Sequence, residues 1–221
     1  MDRITKRIFL SFILGCLSFS VEAQNFVQHQ LGQWTQIQGH SSFLLYKSGV
    51  HKPKAVVGND KILTDGSYLS HDEGFMTGKL FENCWIRLGP KTKVVFNFDA
   101  ATKILYLKVF TGSAKILFNK DWTAGKVEKL ILETGEKQIE IESAKIVFIK
   151  RPFFHENSLY VEKGLAGVIH ENRLQASFVY QNEKINFNDK TRLTSEINKM
   201  SEKEQKEISS NQYLKYLQQD L

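Results

Sequence analysis

The sequence predicts an all-β protein, built as an antiparallel β-sandwich or roll or as a solenoid-like stack of short strands, with a helical tail at the C-terminus. Three observations support this fold class. Short runs rich in β-branched and aromatic residues recur at even spacing, turn residues separate the runs, and no long helical pattern interrupts them. The last observation argues against parallel strands joined by helices, and therefore against Rossmann and α/β-barrel enzymes.

The composition is that of an ordinary globular chain of 221 residues, 42% of them hydrophobic. It excludes collagen, low-complexity chains and polytopic membrane proteins, and 16 Phe residues argue against extensive disorder. The net charge is +6, and most lysines alternate with apolar residues, as on the solvated face of a sheet. The alternating lysines are Lys91, Lys93, Lys103, Lys108, Lys115, Lys120 and Lys126. The alternative is that they form a basic patch for anionic glycans or lipid head groups.

The first 23 residues have the three parts of a secretory signal peptide. Basic residues open the chain, an apolar run spans 8–19, and Val21-Glu22-Ala23 has the small-residue pattern of a cleavage site. The apolar run is shorter than the ~20 residues that a membrane-spanning helix needs, although an uncleaved anchor is an alternative. We therefore expect cleavage between Ala23 and Gln24, and a periplasmic or secreted protein.

The two cysteines have different expected roles. Cys16 follows Ile13-Leu14-Gly15, which resembles a bacterial lipobox, so lipid anchoring through Cys16 is the alternative to cleavage after Ala23. Cys84 would then be the single cysteine of the mature chain, and it has no partner for an intrachain disulfide. Its hydrophobic neighbours predict a small buried side chain; a reactive thiol would need a neighbouring base.

Ten strands are predicted in the order in which their patterns occur. The run 104–110 is apolar on both faces, which indicates a central strand, and 138–142 alternates strictly, which indicates a half-buried one. The predicted strands span 42–46, 93–98, 104–110, 115–118, 138–142, 145–149, 158–161, 165–169, 176–180 and 184–187. The predicted turns lie at 64–67, 88–90, 99–101, 111–113, 134–136 and 162–164.

Residues 189–221 differ from the rest, because β-branched residues become rare. Leu193, Ile197 and Met200 recur at helical spacing, and Ser201 to Glu204 resembles a capping box. We expect a helix, broken near 209–211, that packs on the β domain. A helix that docks on a partner is the alternative.

The sequence offers few candidates for chemistry. It has no G-x-S-x-G, H-E-x-x-H, C-x-x-C or P-loop motif, and its His residues are scattered, so no metal or cofactor is expected. The closest cluster, His71-Asp72-Glu73, is interpreted as a polar turn. Glu133 and Glu140 could form the carboxylate pair of a glycan hydrolase, but the alternation around Glu140 favours a solvated sheet face. Three aromatic residues could stack on sugars, although core positions are more usual: Trp85, Tyr106 and Trp122.

Five stretches follow the order of strand and turn patterns found in one protein family. They span 57–64, 73–83, 85–94, 105–116 and 132–168. In the most specific stretch, Gly89-Pro90 lies between two strands, like the family's Gly-Pro-Asn hairpin. Glu82-Asn83 stands where the family usually has Asp-Gly, and 160–168 looks like its closing hairpin. On these residues, 56–170 resembles the FecR domain family.

The resemblance implies an all-β periplasmic domain that senses a ligand or a protein. FecR-type regulators relay a signal from an outer-membrane receptor to a sigma factor, and they carry a cytoplasmic segment and one transmembrane helix. This sequence has the pattern of a signal peptide where those regulators have the cytoplasmic segment and the transmembrane helix. The chain therefore resembles a stand-alone exported FecR-domain protein, without transmembrane signalling.

The predicted function is a non-enzymatic exported module of the bacterial cell envelope, of sensory or regulatory type, whose partner is an envelope protein or polysaccharide. The alternatives are a glycan-binding protein or glycan hydrolase, and a structural protein whose edge strands join a larger β assembly. No nucleic acid is expected as a partner, because the chain has no recognition motif, and after processing the protein is not expected to be integral to a membrane. The predicted organisation is a signal peptide at 1–23, a β domain at 24–188 and a helical tail at 189–221.

Overall fold

The computed structural model describes residues 29–45, 53–64, 66–71, 73–121, 127–135, 137–151, 156–169, 176–188 and 196–210. Fifteen strands and one helix lie in this part of the chain, which confirms the predicted all-β fold. The strands are β1 (Gln30–Gln38), β2 (Ser41–Leu45), β3 (Lys54–Ala55), β4 (Lys61–Leu63), β5 (Gly66–Ser70), β6 (Phe75–Leu80), β7 (Cys84–Leu88), β8 (Lys93–Asp99), β9 (Ile104–Asn119), β10 (Lys129–Thr134), β11 (Lys137–Arg151), β12 (Glu156–Ile169), β13 (Ala176–Tyr180), β14 (Glu183–Asn188) and β15 (Ile197–Lys199), and the helix is α1 (Glu202–Ser210).

All fifteen strands belong to one hydrogen-bonded network that folds into two layers. Three long strands, β9, β11 and β12, belong to both layers, with one half of each strand in layer A and the other half in layer B. Layer A contains β4, β1, β6, β7, the C-terminal halves of β9 and β11, the N-terminal half of β12, β14 and β15. Layer B contains β3, β2, β5, β8, the N-terminal halves of β9 and β11, β10, the C-terminal half of β12, and β13.

The core lies between the two layers and is held by aromatic contacts across them. The ring of Trp34 on β1 lies 5.1 Å from the ring of Tyr68 on β5 and 6.3 Å from that of Phe96 on β8, both in edge-on geometry. All three side chains are buried. Each such aromatic pair adds ~0.5–1.5 kcal/mol beyond the area it buries.

Two predicted turns are wrong, because the strands continue through them. Gly112 lies inside β9 with φ of 91°, and Gly164 lies inside β12 with φ of 84°. A Cβ at Gly112 would lie 2.3 Å from the Thr92 hydroxyl oxygen, so the position has no room for a side chain. The glycines bend the strands where they pass from one layer to the other, the role of bends in strands that turn a sandwich corner.

Two predicted hairpins are wrong, each for its own reason. Leu88-Gly89-Pro90 is a turn as predicted, but β7 pairs with β6 and β9, whereas β8 pairs with β5 and β9. The turn therefore connects the two layers, and the Gly89 amide donates to the carbonyl of Ser113 near the bend in β9 (2.9 Å). The predicted closing hairpin at 160–168 is part of the single strand β12. The hairpin at 73–83 is confirmed as β6, a turn at 81–83, and β7.

One of the described strand pairs is parallel. The N-terminal half of β9 lies beside β10, with Ile104 opposite Lys129 and Lys108 opposite Glu133. After β9 has crossed into layer A, the chain returns to layer B and starts β10 next to the beginning of β9. This single coil is the solenoid-like feature of an otherwise antiparallel sandwich.

The tail combines one prediction that is wrong and one that is confirmed. Ile197 lies in β15, which pairs with β14, and not in a helix. The helix α1 begins after Ser201, whose hydroxyl oxygen accepts the Glu204 amide (3.3 Å) while the Glu204 carboxylate accepts the Ser201 amide (3.0 Å). This is the predicted capping box. Ile208 packs against Val147 on the outside of layer A, so the described helix rests on the β domain.

In the part of the chain described here, no helix is long and apolar enough to cross a bilayer.

Candidate interaction surface

Several residues named from the sequence lie outside the described residues. Besides Cys16 and the cleavage site at Ala23 and Gln24, they are Asp72, Trp122, Lys126 and Leu193, and the predicted helix break near 209–211 extends beyond the described helix. Cleavage after Ala23 and acylation of Cys16 therefore stay predictions.

Cys84 is confirmed as a buried side chain. It lies at the start of β7, and its thiol is inaccessible to solvent. Burial disfavours the charged thiolate and raises the pKa of Cys84 to about 12. Because the thiolate is the nucleophilic form, Cys84 is inert at neutral pH.

The predicted solvated face around Glu140 is confirmed. Glu140 and Glu133 lie on the outer face of layer B, on neighbouring strands, and both are half-buried. The Glu140 carboxylate lies 2.9 Å from the Lys129 ammonium, and Glu133 accepts a hydrogen bond from the Gln138 side chain (3.3 Å). Each carboxylate thus has its own partner.

The three described histidines, His29, His40 and His71, form no metal-binding group. Within the described ranges, no group of three or more His, Cys, Asp or Glu side chains is placed to hold a metal ion. His71 lies within hydrogen-bond distance of the Ser42 hydroxyl (3.1 Å) in an exposed position, and Asp72 lies outside the described residues.

A hollow of about 660 Å³ beside the start of β10 is lined mainly by charged side chains. Two ion pairs lie in it, Lys103 with Glu128 (2.8 Å) and Lys120 with Glu142 (3.5 Å). The hydrogen bond from Lys103 lowers the pKa of Glu128, so this carboxyl is ionised at neutral pH. A general acid for glycan hydrolysis needs the opposite shift.

The outer face of layer A is largely closed to solvent. Arg87 and Lys115 alternate with core residues and point outward, yet both are fully buried. The Arg87 guanidinium lies 3.6 Å from the centre of the Phe75 ring and donates to the Thr77 hydroxyl (3.4 Å). For Lys115, the predicted solvated position is wrong. Burial of a lysine in a strand depends on what covers the sheet, which alternation does not reveal.

Lys115 belongs to a buried charge network. Its ammonium lies 2.7 Å from one oxygen of Glu162, and Lys145 lies 3.2 Å from the other oxygen. Burial lowers the pKa of Lys115, and the attraction to Glu162 opposes this shift. The network joins β9, β11 and β12 at the level where these strands bend, and we interpret it as structural.

The outer face of layer B carries an exposed apolar patch at its edge. Leu165 on β12 and Phe178 and Tyr180 on β13 are 40%, 52% and 57% exposed. Leu165 lies opposite Tyr180, and Phe178 is two residues away from Tyr180, so all three side chains share one face. We call these three residues the edge patch.

Gly167 holds the Phe178 ring close to the sheet. Gly167 is buried and lies opposite Phe178, and a Cβ at this position would meet the ring at 3.4 Å. The ring therefore lies over bare backbone, with its other face in solvent.

Among the described strands, β13 pairs with β12, and β14, the next strand along β12, pairs with both β12 and β15. The Tyr180 amide donates to the Glu183 carboxylate (2.9 Å), which shows that this amide points away from β12.

Other exposed apolar side chains lie apart from the edge patch. Phe110 on β9 is 39% exposed, and the ammonium groups of Lys93 and Lys108 lie 5.4 Å and 5.7 Å from its ring centre. Val57, in the connection before β4, is 60% exposed. These two sites lie on other elements and serve as controls.

Sequence analysis located β13 but not the edge patch. Alternation shows that Phe178 and Tyr180 share a face, but it does not distinguish an edge strand from a central one. Trp85 and Tyr106, expected in the core, are half-buried on outer faces. Trp85 lies beside Lys79, whose ammonium is 5.9 Å from the ring centre.

Comparison with known proteins identifies similarity in fold. No protein-family profile and no curated protein matches the sequence. The structure is similar to a candidate anti-sigma factor from Parabacteroides distasonis, solved at 1.65 Å and at 2.50 Å. Both comparisons give a TM-score of 0.50 and 12% identity, and they cover 61% of this chain and 60% of the other. The chain thus spans about three fifths of that protein, and at this identity the likeness concerns the fold alone.

Proposed function

We propose that this protein is a non-enzymatic binding module of the bacterial cell envelope, of sensory or regulatory type, which binds a protein partner through the edge patch. The edge patch is the observation on which the proposal depends. It places three large apolar side chains in solvent on one face of β12 and β13. Exposed aromatic residues are the commonest anchors of protein interfaces.

The composition of β13 supports a binding role. Edge strands that avoid association carry lysine, proline or inward-pointing charge. The β13 sequence, Ala176 to Tyr180, contains none of these. Exposed aromatic rings on such a strand are a liability unless a partner covers them.

The area of the edge patch indicates reversible binding. Covering the exposed half of Phe178 and Tyr180, about 100 Å² on each ring, would contribute roughly 5 kcal/mol. Association costs ~4–15 kcal/mol in lost freedom of motion. The patch therefore anchors a partner but needs further contacts for tight binding, as is typical of regulatory contacts.

The regulatory and envelope parts of the proposal have separate support. The fold is shared with a candidate anti-sigma factor, and residues 56–170 resemble the FecR domain family in sequence pattern. The signal-peptide pattern that ends at Ala23 supports export. Binding without catalysis is supported by Glu128 and Glu140, which are paired with lysines.

Site-specific photo-crosslinking in cells tests the proposed function. A photoreactive amino acid replaces Tyr180 in one variant and Val57 in the control variant, and adducts are identified by mass spectrometry. We expect a discrete protein adduct from position 180 that is absent from position 57, although the control position is equally exposed. Identical adducts at both positions, or glycan adducts alone at position 180, would contradict the proposal.

A further inference from the structure

We propose that a second binding site lies in the cavity between α1 and layer A, and that it takes a small organic carboxylate with a compact apolar body. The cavity has a volume of about 330 Å³, at the lower end of the usual range for ligand sites. The inference goes beyond the proposed function, because it concerns another face of the molecule and a small ligand. The described residues that line the cavity are Lys145, Glu162, Lys163, Gln181, Asn182, Met200, Gln205 and Ile208.

The charged end of this cavity carries more positive than negative charge. The Glu162 carboxylate lies between two ammonium groups, with Lys115 at 2.7 Å from one oxygen and Lys145 at 3.2 Å from the other. Lys163, which also lines the cavity, adds a third cation. Three positive charges on these described side chains thus stand against one negative charge, and the excess attracts an anion.

The burial of these groups makes the excess charge effective. Lys145 and Glu162 keep 14% and 16% of their side chains exposed, and Lys115 keeps none. Water and salt screen such charges far less than charges on the open surface. Burial lowers the pKa of Lys115, and repulsion from Lys145 adds to this shift, although the attraction to Glu162 opposes it. A second anion beside Lys145 would offset this repulsion.

A β-bulge places Glu162 between the two lysines. Lys145 lies opposite Lys163 and Ile146 lies opposite Val161, so Glu162 is the extra residue on β12. Bulges redirect a side chain in this way and are frequent beside functional sites. The Lys145 ammonium has three N–H donors, and Glu162 accepts from one of them among the described residues. A ligand carboxylate in the cavity would accept from another.

The rest of the lining defines the rest of the ligand. Met200 and Ile208 bring buried apolar side chains to the cavity. Gln181, Asn182 and Gln205 bring amide groups, which both donate and accept hydrogen bonds. A compact molecule with a carboxylate, an apolar group and an amide would match all three parts. An N-acylated apolar amino acid has this combination, and so has the C-terminal residue of a peptide.

Hydrogen bonds hold the lining of the cavity in place. The Asn182 amide donates to the Val161 carbonyl (2.8 Å), and the Asn182 carbonyl accepts the Met200 amide (2.9 Å). The Gln205 side chain donates to the Met200 carbonyl (3.3 Å), which connects α1 to the same residue. Ligand sites are usually preformed in this way. A bound molecule would contact the sheet and α1 together, so it should also stabilise the packing of the helix.

Isothermal titration calorimetry of the purified chain tests the site. The probe is N-acetyl-leucine, and the control compound is N-acetyl-leucinamide, which has the same shape but no charge. We expect the acid to bind at concentrations below about 10 mM, and the amide to bind about tenfold more weakly, because a hydrogen bond to a charged group is lost. Acetate, which lacks the apolar body, should bind weaker by about tenfold as well.

A peptide distinguishes the two sources of this ligand chemistry. It is a tetrapeptide of three alanines and a C-terminal leucine. Tighter binding of the tetrapeptide than of N-acetyl-leucine would identify the ligand as a peptide C-terminus. Tighter binding of N-acetyl-leucine would identify it as a free small molecule. Either result supports a carboxylate site.

Two lysine variants locate the binding. K145Q removes an ammonium group that lines the cavity and leaves the pair of Lys115 and Glu162, so we expect the chain to fold. K129Q is the matched control, because Lys129 also pairs with a glutamate (2.9 Å) but lies in layer B. K145Q should weaken the binding of N-acetyl-leucine about tenfold, and K129Q should leave it unchanged. In the parent chain, amide NMR shifts caused by the ligand should cluster at Lys145, Asn182 and Gln205, a measurement that needs no variant.

Four results would overturn this site. They are the absence of binding at about 10 mM, equal binding of the acid and its amide, equal losses in K145Q and K129Q, and NMR shifts centred away from the cavity. Acetate that binds as tightly as N-acetyl-leucine would overturn the ligand class, because the apolar lining would then contribute nothing. The crosslink at position 180 tests the proposed function separately.

Discussion

Replacing Glu162 with glutamine should destabilise the fold far more than the same change at a half-buried glutamate. The Glu162 carboxylate lies 2.7 Å from the fully buried ammonium of Lys115, and E162Q removes the charge while keeping the side-chain size. Losing one partner of a buried ion pair costs about 3–5 kcal/mol, because the other charge stays buried without compensation. Glu162 keeps 16% of its side chain exposed, so we expect about 3 kcal/mol.

Urea unfolding at two pH values measures this effect and checks its cause. Burial lowers the pKa of Lys115 in the folded state, and E162Q removes the attraction that opposes this shift. Between the lowered pKa and the unfolded value of 10.5, the unfolded chain binds more protons, so stability rises with pH. The E162Q variant should therefore regain stability as the pH is raised from 7 towards 10, over a wider window than the parent chain.

The matched control is E140Q. Glu140 forms an ion pair with Lys129 at 2.9 Å, but about a third of each side chain is exposed, and such pairs contribute roughly 1 kcal/mol or less. The double variant K115M/E162Q should recover most of the stability lost in E162Q, because replacing a buried pair by apolar groups is often neutral. An E162Q variant no less stable than E140Q, or one whose stability falls with rising pH, would refute this account of the network.

Three further predictions concern other parts of the chain. G112A should lower the free energy of unfolding by about 1–3 kcal/mol, since φ is 91° there, whereas G58A, with open space around it, should be close to neutral; thermal unfolding of the two variants checks this. Cys84, with a pKa raised to about 12, should react with a thiol reagent at pH 8 only after unfolding, and rapid labelling of the folded chain would show that it is not buried. Mass spectrometry of the chain isolated from the envelope should find Gln24 at the N-terminus; an acylated N-terminal Cys16 would show the lipoprotein route instead.

The fold class was predictable because it depends on side-chain periodicity. The connections between strands were not predictable, because they depend on which strands pair with one another and in which register. Strict alternation at 138–142 identified half-buried strand positions that the structure confirms. At Gly112 and Gly164, a glycine among polar residues gives the same sequence pattern whether two strands are joined by a turn or one continuous strand bends. Only the neighbouring strands, which pair on both sides of each glycine, distinguish the two.

The interaction surface was less predictable, because exposure is a property of the assembled sheet. Lys115 and Lys108 occupy equivalent polar positions in β9, yet the first is buried and the second exposed. Phe178 has the aromatic character of a core residue and lies half in solvent, because β13 is an edge. The sequence contains the alternation that places these side chains on a face, but not the order of strands that decides whether the face is covered.

The shared use of three long strands explains why the edge patch lies apart from the helix and from β15. Because β12 belongs to both layers, the segment 176–188 that pairs with it has one half in each layer. The chain's own continuation, β15, covers the layer A half, and α1 then packs on the outer face of that layer. Of the described residues, β15 and α1 therefore reach the layer A half alone, because a three-residue strand followed directly by a helix on layer A extends no further. The layer B half carries the exposed rings of Phe178 and Tyr180, and this division of β12 between two layers separates the covered face from the exposed one.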